Sequence, residues 1–92
     1  MSPAEVENAL LEYDGVQDAG VVGMGEDVSE HPVACVVVQN TDVTAETLKI
    51  HLRARLASYK VSMTEICFVD SIPKNPSGKI LRNRLRDALA SR

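Results

Sequence analysis

Tryptophan is absent from this 92-residue chain, phenylalanine occurs once and tyrosine twice. Its core must therefore be aliphatic, drawn from the Val, Leu, Ile and Ala that dominate an apolar share of 45%. That share belongs to globular rather than disordered sequences. Long apolar runs are missing too. The longest, VACVVV at 33–38, is far below the ~20 residues a helix needs to cross a bilayer. The amino-terminus lacks the basic-then-apolar order of a secretory signal. The expectation is one soluble domain over residues 1–92, with no membrane span, intracellular and cytoplasmic. Cysteine is limited to Cys35 and Cys67. Each lies in an apolar, strand-like run, which predicts two reduced thiols buried as small hydrophobes rather than a disulfide.

Basic residues are absent from positions 1–48, which carry ten Asp and Glu; positions 49–92 carry all ten Lys and Arg against Glu65, Asp70 and Asp87. The halves bear −10 and +7, which gives the net −3. Either the two halves pack together and partly neutralise each other, or the basic half faces a phosphate-bearing ligand or an acidic surface.

What is present divides into six segments. SPAEVENALLEY begins with a helix signature: Ser2 as N-cap, Pro3 at the first helical position and Glu5 completing a capping box. Val6, Ala9, Leu10 and Tyr13 follow as a stripe, and Asp14-Gly15 ends it. VQDAGVVGM (16–24) and HPVACVVVQ (31–39) read as two strands of an antiparallel hairpin, joined by the polar GEDVSEH. TAETLKIHLRARLASY (44–59) reads as a helix capped by Thr44, with Leu48, Leu52, Leu56 and Tyr59 on one face. EICFVD (65–70) is a third strand, and Ile80–Ser91 a third helix with Leu81, Leu85 and Leu89 at four-residue spacing. The α-β-β-α-β-α order predicts an α+β two-layer domain, a three-stranded mixed sheet covered by three helices. The helical crossover favours parallel second and third strands, and one arrangement puts the first strand between them, antiparallel to both.

Several chemistries fail on the residues. Around Gly78-Lys79 the first glycine of a phosphate-binding P-loop is replaced by Pro73, and Ile80 stands where a magnesium-binding hydroxyl belongs. GMGEDV (23–28) lacks the third glycine of a dinucleotide fingerprint. His31 and Cys35 have no second pair to complete a metal site, and His51 sits on a helix among charges, so no metal site is expected. Lys79, Arg82, Arg84, Arg86 and Arg92 form a basic cluster without interleaved aromatics, which argues against nucleic acid. No histidine can be placed beside a nucleophile.

The segment IPKNPSGKILRNRLR (72–86) remains. Pro73 and Pro76 restrict its backbone, Asn75-Pro76 favours a turn, and Gly78 admits dihedrals closed to other residues. The spacing allows two readings of Lys79: an exposed first-turn residue of the third helix, where the helix dipole disfavours a cation, or a cation placed for an anionic ligand.

Together SPAEVENALLEYDGVQDAGVVGM, HPVACVVVQ, LASYKVS and ICFVDSIPKNPSGKILRNRLR closely resemble the small C-terminal domain of the adenylate-forming acyl-CoA synthetases, in the branch of coumarate-CoA ligases, medium- and long-chain acyl-CoA ligases and beetle luciferases. IPKNPSGKI is similar to that family's last signature. The resemblance implies that Lys79 is catalytic and that Pro73, Lys74, Ser77 and Gly78 shape its loop. YKV at 59–61 matches the segment ahead of the last strand, with Ser62 where the family usually has Pro. The resemblance also implies an ATP-, Mg2+- and CoA-dependent parent enzyme, whose large N-terminal adenylation domain is this domain's partner. There the small domain supplies its lysine when a carboxylic acid joins AMP, then rotates about a hinge for thioester formation. Only Met1 precedes Ser2, so the sequence reads as the lid domain taken alone, monomeric, inactive by itself and holding no cofactor. A free-standing, non-catalytic interaction or regulatory module derived from this fold is the alternative.

Overall fold

The computed structural model describes residues 3–24, 31–39, 42–56 and 64–90. Ser2 as a cap, the loop after Met24, Tyr59, YKV, Ser62 and Ser91 lie outside the described residues, as does the side chain of His31. The described elements follow the expected order: α1 Pro3–Leu11, β1 Val16–Met24, β2 His31–Val38, α2 Ala45–Arg55, β3 Glu65–Phe68 and α3 Arg82–Ala90.

α1 ends at Leu11, and the turn that follows closes on Gly15, whose φ of 100° favours glycine. The chain then enters β1, which runs antiparallel to β2 from Val16↔Val38 to Met24↔His31, with an irregularity between Val16 and Asp18. β3 pairs with β2 in parallel, from Val33↔Glu65 to Val36↔Phe68. The parallel pairing is as expected, but the strand order is β1-β2-β3, so β2 and not the first strand is central. The physical reason lies in VACVVV. Val33, Ala34, Cys35 and Val36 are all buried, as a strand covered on both faces and both edges must be.

Strand alternation sorts the core into two clusters. On one face Ala19, Val21, Ala34 and Val36 pack with Val6, Ala9 and Leu10 of α1, Val43, and Leu48 and Leu52 of α2. On the other, Val22, Val33 and Cys35 pack with Ile72 and with Leu85 of α3, beside Ile80 and Leu89. The α+β class, the mixed three-stranded sheet and the three helices match expectation. The layering differs from the expected two: α1 and α2 cover one face, and α3 makes a third layer on the other. Gly20 lets α3 come this close, because a Cβ there would lie 3.2 Å from Leu85 Cδ2 and 3.3 Å from Ile72 Cγ2. Full burial of Leu48 and Leu52 stabilises the larger cluster by about 1.5–3 kcal/mol each.

α2 starts at a capping box: Thr47 N–H donates to Thr44 Oγ1 at 3.2 Å, and Thr44 N–H donates to Thr47 Oγ1 at 3.1 Å. His51, expected among charges, is instead partly buried. Its Nε2 lies 2.6 Å from the Ala9 carbonyl and its ring packs edge-on against Tyr13 at 5.1 Å, joining α2 to α1. Neither cysteine forms a disulfide, and Cys35 is buried as expected. Cys67 is only partly buried, because β3 has β2 on one side alone.

The charge asymmetry is met in part within the chain, by three ion pairs. Arg55 pairs with Glu12 at 3.3 Å, Lys74 with Asp18 at 2.7 Å and Arg82 with Glu7 at 2.8 Å. Each pair joins an acid of the first half to a base of the second.

Candidate functional site: the Lys79 hairpin

Between β3 and α3 the chain forms a small hairpin. Lys74 and Ile80 face each other in an isolated antiparallel bridge, and Leu81 N–H donates to the Pro73 carbonyl at 2.9 Å. These bonds hold Ile80 and Leu81 to the first leg of the hairpin, and α3 begins after them at Arg82. Lys79 is therefore not a first-turn helical residue but the last residue of the hairpin loop.

One side chain organises that loop. Asn75 Oδ1 accepts from Ser77 N–H at 3.1 Å, Ser77 Oγ at 2.8 Å and Lys79 N–H at 2.9 Å. The Asn75 backbone closes the ring, its N–H donating to Lys79 O and its carbonyl accepting from Gly78 N–H, both at 2.9 Å. Such a side-chain oxygen bonded to backbone two residues onward is the turn chemistry for which asparagine is suited. Gly78 has a φ of 89°, and a Cβ added there would meet nothing within 4 Å, so backbone conformation and not crowding requires glycine.

The hairpin therefore brings Pro73, Lys74, Ser77, Gly78 and Lys79 together. Lys74 ties one leg to β1 through Asp18, while Lys79 is exposed and its ammonium has no ion-pair partner among the described residues. Beside it lies an open groove of ≈ 570 Å³, lined by Asn75, Lys79, Ile80, Leu81, Arg82, Asn83 and Arg84. Lys79 and Arg84 give its rim positive charge, and the backbone N–H groups that start α3 add a partial one. Chemically the arrangement offers a cation of long reach on a braced loop, suited to an anion brought up to it. No three His, Cys, Asp or Glu side chains converge among the described residues, so Mg2+ finds no fitting ligand set in them.

Residues that the sequence does not single out complete the surroundings. Asn75 reads there only as a turn former before Pro76, although an Asx-turn was the available signal. Glu7 and Asp18 had no local signal, and Arg82 reads only as one of a basic cluster, since each partner lies more than fifty positions away.

Residues 5–79 match the model of the AMP-binding enzyme C-terminal domain. 4-Coumarate–CoA ligase 1 of Glycine max is 42% identical over 94 residues, covering 99% of this chain and 32% of that protein. 2-Succinylbenzoate–CoA ligase of Bacillus mycoides is 40% identical over 84 residues, 91% of this chain and 17% of that protein. Among solved structures, a Mycobacterium tuberculosis fatty acyl CoA synthetase superposes with a TM-score of 0.86 at 32% identity, over 97% of this chain and 18% of that one. The Bacillus subtilis o-succinylbenzoate CoA synthetase in complex with its acyl-adenylate intermediate superposes with a TM-score of 0.81 at 38% identity, over 95% and 18%. The chain thus spans a third or less of the length of these relatives.

Proposed function

The chain belongs to the AMP-binding enzyme C-terminal domain family, and on that premise we propose that it is the lid of a larger acid–thiol ligase, with Lys79 as the catalytic residue of adenylate formation. The observation that carries this reading is the braced loop, which holds an exposed ammonium unneutralised by any described acid while the nearby Lys74 and Arg82 are both paired.

The reaction needs such a group. A carboxylate approaching the α-phosphate of ATP meets like charge, and negative charge accumulates on the five-coordinate phosphorus as the acyl–O–P bond forms and pyrophosphate leaves. Lys79 would lie between carboxylate and nucleotide and offset that charge. A unit charge at ~4 Å is worth roughly 4 kcal/mol at an effective dielectric near 20, enough for a rate effect of about two to three orders of magnitude. For thioester formation the domain turns about its hinge, the lysine loop withdraws and the CoA thiol attacks the acyl carbon, releasing AMP. Mg2+ neutralises triphosphate charge in such reactions, and the described residues of this chain offer it no fitting ligand set. The acyl pocket lies in the larger domain.

Single-turnover kinetics on the ligase carrying Lys79→Ala test the reading. Adenylate formation should fall by roughly two to three orders of magnitude, and thioester formation from supplied acyl-adenylate should stay near normal. Equal loss in both steps, or none in the first, would refute the assignment.

A further inference from the structure

β1 is an edge strand, and its outward backbone groups are bonded by side chains from both helical layers. Glu7, buried on α1, accepts the Val21 N–H at 2.8 Å through Oε2. The same Oε2 accepts from Arg82 Nη1 at 2.8 Å, and that nitrogen also donates to the Val21 carbonyl. Arg86 Nε donates to the Gly23 carbonyl at 3.0 Å. Arg82 opens α3 on one face of the sheet and reaches around its edge to a carboxylate held on the other.

We infer that Glu7 and Arg82 are positioning residues for Lys79: their ion pair, closed on Val21, fixes the helical foot of the lysine hairpin to the edge of β1. The inference rests on the catalytic reading of Lys79. The hairpin has two feet. Lys74 anchors the first to Asp18, and Arg82, three residues after Lys79, anchors the second to Val21, so both stand on one short stretch of one strand. With both feet on β1 and the loop braced by Asn75, the backbone of Lys79 has a fixed place relative to the sheet. Stability alone does not call for this device, because the arginine of the pair is about one-third exposed, and an ion pair with a solvated partner contributes little. What the arginine adds is a tie: its Nη1 amino group meets the Glu7 carboxylate and the Val21 carbonyl at once, which joins α3 to α1 and to β1 at a single point.

The test is a double-mutant cycle with a structural readout. In the ligase, Arg82→Met should slow adenylate formation roughly ten- to a hundred-fold, the scale that misplacing a reacting group by about 1 Å produces. In a Lys79→Ala background it should slow that step no further, because the group it positions has gone. Arg82→Lys should restore part of the loss. In the 92-residue chain, Arg82→Met should speed amide hydrogen exchange at both Val21 and Lys79 by ten-fold or more. A full additional loss in the Lys79→Ala background, or unchanged exchange at Lys79, overturns the inference. A normal rate for Lys79→Ala with exchange still responsive to Arg82→Met would refute the role of the lysine and leave the clamp standing. If Arg82→Met unfolds the chain, Glu7→Gln, which keeps a carbonyl acceptor for Val21 but removes the charge, is carried through the same measurements with the same outcomes deciding.

Discussion

Replacing Asn75 with alanine removes one oxygen and three hydrogen bonds, those from Ser77 N–H, Ser77 Oγ and Lys79 N–H. An intramolecular hydrogen bond contributes about 0.5–1.5 kcal/mol net. Ser77 and Lys79 are exposed, so water takes up the freed donors and the lower end applies, about 1–2 kcal/mol in all. In a domain of this size each kcal/mol lowers the thermal midpoint by roughly 4–8 °C. The larger effect should be local. Without Oδ1 only the two Asn75 backbone bonds and the Lys74–Ile80 bridge hold the loop, and amide exchange at Lys79 should rise by an order of magnitude or more while core amides of β2 shift only with the global stability. Asn75→Asp keeps the acceptor and should retain most of the protection. Thermal denaturation followed by circular dichroism, with residue-resolved exchange by NMR, measures both quantities. Unchanged Lys79 exchange in Asn75→Ala would show that Oδ1 does not organise this loop.

Gly20→Ala places a methyl 3.2 Å from Leu85 and 3.3 Å from Ile72, and the overpacking should cost about 1–3 kcal/mol, seen as a lowered urea midpoint with α3 amides losing the most protection. The two thiols should differ under native conditions: a small thiol reagent should label the partly exposed Cys67 well before the buried Cys35, whose labelling should follow unfolding, as timed mass spectrometry of peptides would show.

Element types are legible because α2 carries a helical leucine stripe and β1 and β2 are short apolar, β-branched runs, bounded by glycine, threonine or polar turns. The order of the strands is harder to see, although its signal lies in the chain: four consecutive buried residues in β2 leave no solvent face, whereas β1 holds Gln17 and Asp18. The extra helical layer is hidden for a different reason. Leu85 and Leu89 announce an apolar stripe on α3 but not which face of the sheet receives it, and Gly20 gains its meaning only beside Leu85. Lys79 can be singled out because proline, asparagine and glycine mark its loop locally. Its supports cannot, since Glu7 and Arg82 are 75 positions apart and no local pattern relates them.

The sealed edge of β1 has a consequence for the order in which the chain becomes safe. During synthesis α1, β1 and β2 leave the ribosome long before residue 82, and they already contain most of the larger core. Until Arg82 and Arg86 arrive, the Val21 and Gly23 carbonyls stand open as a template for another strand, the exposure that leads nascent chains to pair with one another. The residues that finish the lysine hairpin are thus also those that end this interval, and a chain stopped short of α3 would retain much of its core yet keep an adhesive border.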